Sequence, residues 1–210
     1  MRFISASRTR PGVTLRRALF AMMLAIMVPG MLRSQVTGET REFQKKAEFI
    51  TSFTRFVEWP ARKFAQPDSP FVIGVYGSDN LTSLLQEALQ ERRIKDRPVV
   101  VKHLQNKEEL RACHVLFISR SERDRLGPIL AEVRRENVLT VGESDNFLGK
   151  GGVINFVNLG GAVRFQISTE AAAREKLIIS SKLLQLSVAA NGTASTAPLI
   201  PVKFVPVSTR

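Results

Sequence analysis

Short apolar runs of strand length, separated by stretches with helical spacing, constrain this chain more than any other feature. The runs are Phe71–Tyr76, Val99–His103, His114–Ile118 and Val138–Val141. Between the first two, Leu81, Leu84, Leu85, Ala88 and Leu89 follow the helical i, i+3, i+4, i+7 spacing. Between the last two, Leu126, Ile129, Leu130 and Val133 do the same. Such intervals place each set on one face of a helix. Strands covered on both faces carry near-continuous apolar runs, and parallel neighbours need a helix-length crossover between them. The alternation predicts an α/β domain with a mixed, mostly parallel sheet of about six strands flanked by about five helices.

The first helix of that set lies in Glu42–Pro60. Phe43, Ala47, Ile50, Phe53 and Val57 form its stripe, with Phe49 and Phe56 widening it. Pro60 cannot extend a helix and drives Trp59 out of the helical region, which sets the expected stop. After Gly142 the pattern changes. Val153–Val157, a turn through Asn158–Gly161, and the alternation of Val163, Phe165 and Ile167 with Arg164 and Gln166 predict a C-terminal antiparallel hairpin. Helical pieces over 169–176 and 181–189 follow, the second capped by Ser180 or Ser181.

Charge needs dividing before it is read. The formal net charge is +12, but residues 1–34 hold six arginines and no acid, leaving 25 basic against 19 acidic groups beyond them. The remaining chain is mildly basic. The leader has a basic stretch to Arg17, an apolar run from Ala18 to Val28, then Pro29-Gly30, the order of an export signal. That run is too short for a bilayer core, which takes about 20 residues. The expected division is an export signal over 1–35, one α/β domain over 36–190, and a proline-rich extended tail over 191–210. The lone cysteine, Cys113, has no intramolecular partner, and its context places it buried at a strand edge.

Few residues assemble into chemistry. The loops Gly77–Asn80, Ser119–Glu122 and Gly142–Asn146 come together if their strands are parallel, where open α/β sheets hold ligands. Their acids, Asp79, Glu122, Glu143 and Asp145, oppose an anion there, and turn formation and capping account for them. The glycines at 149, 151 and 152 precede a strand, unlike a dinucleotide fingerprint. His103 and His114 are the only histidines, and His114 leads into an apolar strand. No catalytic set, transition-metal site or cofactor is expected. The densest basic cluster, Arg92-Arg93-x-Lys95-x-Arg97, reads as a solvated link, without the interleaved aromatics of a nucleic-acid surface. Asn155 interrupts the apolar run Val153–Val157. Either it is buried and hydrogen-bonded, or its face opens on a partner. Phe147 is an apolar side chain in a polar loop, the composition of a recognition patch.

Taken together, the blocks KKAEFITSFTRFVEWP (45–60), FVIGVYG (71–77), CHVLFIS (113–119), VLTVGE (138–143), GGVINFV (151–157), VRFQIS (163–168) and IISSKLLQLS (178–187) resemble, in order and spacing, the YfiR-like family of exported bacterial proteins. The resemblance implies a periplasmic α/β domain, often dimeric, without catalysis. It also implies binding to the periplasmic sensor part of an inner-membrane diguanylate cyclase, or of a sensor kinase. Familiar members carry disulfides, and Cys113 stands where one half of a bridge would; its partner is missing. The expected contact residues are Phe147, Asn155, Arg164, Lys182 and Gln185. A periplasmic small-molecule sensor or carrier, using the crevice at the strand ends, is the alternative.

Overall fold

The structure, a computed structural model, describes residues 29–77 and 80–189, and for residues 29–37 and 39 the backbone alone. Most of the expected leader and all of the expected tail lie outside the described residues. The chain divides into two units after Glu42. The described part of the first is helical, and the second holds the sheet.

Helix α1 spans Pro29–Phe56. Strand β1 (Val57–Glu58) follows, then β2 (Phe71–Tyr76), α2 (Leu81–Leu89), β3 (Arg93–Ile94), β4 (Arg97–Leu104) and β5 (Val115–Ile118). Next come α3 (Leu126–Glu132), β6 (Leu139–Gly142), β7 (Ile154–Leu159), β8 (Ala162–Ile167), α4 (Thr169–Arg174), β9 (Ile178–Ile179) and α5 (Ser181–Leu186). Short 3-10 turns occupy Ala61–Lys63, Lys107–Ala112 and Arg120–Arg125. Ser168 caps α4 and Ser180 caps α5, each hydroxyl accepting from the backbone N–H three residues on.

The main sheet runs β3-β4-β2-β5-β6-β7-β8. Pairings from β4 through β7 are parallel, and the two edge pairings, β3 with β4 and β7 with β8, are antiparallel. This is the mixed, mostly parallel sheet that the apolar runs predict, with the hairpin at its C-terminal edge. Gly160 and Gly161, at φ 59° and 79°, close that hairpin in the left-handed conformation a two-residue turn requires.

Side chains alternate across β5. Val115 and Phe117 join the core beneath α1, while Leu116 and Ile118 join a second core beneath α3. Phe53 of α1 is fully buried and meets the Phe165 ring edge-on at 5.0 Å, and Phe49 meets the same ring at 5.2 Å. Burying one such ring contributes about 1.5–3 kcal/mol, and the edge-on geometry adds to it. The helix carried by Phe43–Phe56 is thereby fixed over the β7–β8 hairpin.

Three details differ from the sequence reading. Helix α1 stops at Phe56 rather than just before Trp59, because Val57 and Glu58 pair with Ile179 and Ile178 in a separate two-stranded ladder. Backbone groups released from the helix are satisfied there instead. It also begins at Pro29, far before Glu42. Finally, Arg93–Ile94 is an edge strand, so the basic cluster is half sheet and half turn rather than a loose link.

Candidate functional site

The ends of β2, β5 and β6 lie side by side, as their parallel pairing demands, and their loops do converge. The Arg120 N–H donates to Glu143 Oε1 at 3.2 Å, and its guanidinium donates to the Glu143 carbonyl at 3.1 Å. Lys46, 4% exposed, reaches across from α1 to pair with Glu143 Oε2 at 2.5 Å. Glu122, also buried, pairs with Arg125 at 2.8 Å. Gly77 has φ 98°, and a Cβ there would lie 2.7 Å from Ser121 Oγ and 2.8 Å from Glu122 Cγ. The described part of this crevice is therefore filled by its own loops, and two of its acids are matched by cations. Ser78 and Asp79 lie outside the described residues.

Phe147 sits fully buried in the second core. Its ring is wedged between two glycines: a Cβ on Gly142 would fall 2.2 Å from Cε2, and one on Gly152 2.0 Å from Cε1. The expectation of an apolar recognition patch is corrected here. The ring is apolar because it plugs the underside of the sheet, and only glycine leaves room for it. Asn155 pairs with Gly142 on one side and Gln166 on the other. It is 7% exposed, and its Oδ1 has no hydrogen-bond partner. So it is buried, as one of the two readings held, but without the bond that reading assumed.

At the opposite end of the sheet, His114 lies between the rings of Phe64 and Phe71, at 4.5 and 4.8 Å. Its Nδ1 accepts from the Val72 N–H at 3.0 Å, and its carbonyl accepts from Trp59 Nε1 at 3.0 Å. Burial holds the imidazole down to about 4, and the cations of Lys63 and Arg97 push the same way. Neutral at ordinary pH and stacked on both faces, it is a packing group. Next to it, burial pushes the Cys113 thiol up to about 11. A thiol held protonated and fully buried is a poor nucleophile. His103 is exposed, with Nε2 2.9 Å from the Gly77 carbonyl. Among the described residues no cluster of His, Cys, Asp or Glu has the arrangement to hold a metal ion. No described helix is long and apolar enough to cross a membrane.

The remaining expected residues lie on the outside. Arg164 is exposed on β8, and Lys182 and Gln185 are exposed on α5. Leu186, four residues after Lys182, shares that helical face and is 62% exposed. Ile178, just ahead of α5, is 66% exposed. The sequence reading omitted both apolar residues. Leu183, Leu184 and Leu186 read alike in a row, and the polar face marked by Lys182 and Gln185 was the signal that one leucine points outward. The chain then passes along β8, where the Val188 N–H donates to the Phe165 carbonyl at 2.9 Å. The structure thus leaves Lys182, Gln185 and Leu186 exposed on α5 and Ile178 exposed on β9 just ahead of it, and withdraws Phe147 and Asn155 into its interior.

Comparison with known proteins gives one strong match. Residues 43–188 match the family described as YfiR/HmsC-like. No curated protein matches the chain. Two solved structures are similar at low identity. A conserved domain protein from Vibrio cholerae gives a TM-score of 0.48 at 10% identity, covering 70% of this chain and 59% of that one. An ABC domain in complex with L-Trp from Streptococcus pneumoniae gives 0.47 at 9%, covering 70% and 60%. The chain spans about three fifths of each, and neither similarity bears on function.

Proposed function

The chain belongs to the YfiR/HmsC-like family, and from that premise we propose that it is a periplasmic regulatory protein that acts by binding. In this proposal it docks on the periplasmic sensor domain of an inner-membrane diguanylate cyclase and holds that enzyme inactive. The observation that carries the reading is the family match over residues 43–188, which takes in the whole main sheet and α5. The state of the chemically capable groups supports binding over catalysis. His114 and Cys113 are buried, and Glu143 and Glu122 are held by cations.

The docking surface of this proposal centres on Ile178 and Leu186, with Lys182, Gln185 and Arg164 contributing polar contacts. Apolar anchors within a polar surround are the composition of a protein interface. Deleting the gene is expected to raise cyclic-di-GMP and biofilm, and restoring the wild-type chain to reverse both. The double variant Ile178→Asp, Leu186→Asp should melt at the wild-type temperature yet fail to restore repression. Unchanged cyclic-di-GMP in the deletion strain, with no membrane cyclase cross-linked to the wild-type protein, overturns the reading.

A further inference from the structure

Arg55, Arg92, Arg93 and Lys95 converge on one cavity of about 400 Å³ between the last turn of α1, the end of α2 and the β3–β4 turn. Among the described residues no acidic side chain lines it. Among the described residues none of these four cations makes an ion pair; Arg93 donates only to the Asp96 carbonyl within its own turn. Leu89 and Ile94, both buried, give the cavity an apolar floor.

Two ordinary explanations fall short. Cations near helix C-termini complement the helix dipole, and α1 and α2 both end here. Each end carries about half a negative charge, so two ends answer roughly one of four cations. A solvated loop would also scatter such residues, yet Lys95 is held at φ 51° and Asp96 at φ 62° in a two-residue turn. Those are positions that favour Asn and Gly, and they hold the exposed Lys95 at the cavity's edge.

We propose that this cavity is a binding site for a phosphate group, carried by a small soluble molecule or by an anionic lipid headgroup. Arg55 and Arg92 flank the phosphate, and Lys95 closes over it from the turn. The neighbouring groove along α1 and α2 is lined by Glu48, Glu87 and Glu91 and shares Arg92 as its boundary. Its carboxylates turn an anion away, so the site is confined and saturable.

The test is a titration of the purified protein with inorganic pyrophosphate, followed by backbone amide NMR at low and high salt. Saturable shifts at Thr51, Ile94 and Lys95 are expected, with affinity falling as salt rises. Arg55→Gln and Arg92→Gln each weaken binding about tenfold, at unchanged melting temperature. Arg134→Gln and Lys150→Gln, in a second basic cavity beside α3, leave it unchanged. Vesicles of phosphatidylglycerol that compete with pyrophosphate, where phosphatidylcholine vesicles do not, assign the phosphate to a lipid; no competition assigns it to a soluble molecule. Shifts that do not saturate, that centre on Arg134 and Lys150, or that survive both cavity variants overturn the proposal.

Discussion

Truncating Phe147 to alanine removes a ring whose two edges face Gly142 and Gly152. A Phe→Ala change in a core costs about 3–5 kcal/mol, with the upper part of that range where the surroundings cannot close in. They cannot close in here, because Gly142 is held between Ile118 of β5 and Asn155 of β7 in the middle of the sheet. The expected loss is therefore about 4 kcal/mol, a large part of a typical domain's stability. Gly142→Ala in the wild-type background forces a Cβ to 2.2 Å from the ring and costs about 1–3 kcal/mol through overpacking. Combined with Phe147→Ala, the same methyl group enters vacated space. The pair should cost less than the sum of the singles by about 1–3 kcal/mol. Urea unfolding followed by the fluorescence of Trp59, the only tryptophan and itself buried, measures all four proteins. Additivity within about 0.5 kcal/mol would refute the wedge. Partner binding per folded molecule should stay the same in Phe147→Ala; a selective loss of binding at full stability would return Phe147 to the contact surface.

Two further outcomes follow from the buried end of the sheet. His114 titrates in the folded protein at about 4 against an ordinary value of 6.5, because burial disfavours its charged form. Its contribution is complete above pH 6.5 and is lost as pH falls toward 4, by on the order of 3 kcal/mol at roughly 1.4 kcal/mol per unit. His114→Asn keeps an acceptor for the Val72 N–H and should flatten stability against pH across that window; an unchanged slope refutes the assignment. Cys113, fully buried with its thiol raised to about 11, should react with a thiol reagent only as fast as the protein opens. Labelling in seconds under native conditions refutes that burial.

Some of this was open to a reader of the sequence, and particular residues show why. The strand runs at 71–76, 114–118 and 138–141 are apolar because both faces of a parallel sheet are covered, so composition alone marks them. The Val163, Phe165, Ile167 alternation marks a strand with one face on α1. Asn155 and Phe147 were noticed for the right reason, since each breaks its local pattern. Burial settles Asn155 toward one of its two readings, and Phe147 belongs to the core because what resolves its break is a pair of glycines, Gly142 and Gly152, that admit the ring from either side.

By itself, then, the sequence determined the class of fold, the hairpin, the helix that covers it and the family, because periodicity and ordered blocks are local properties of a chain. Tertiary structure decided which leucine of α5 faces water, that Glu143 is matched by Lys46 from nearly a hundred positions away, and that a loose-looking basic link lines a cavity with Thr51. Those outcomes depend on distance and burial between remote segments. No pattern along the chain encodes either until the sheet has set its strand order.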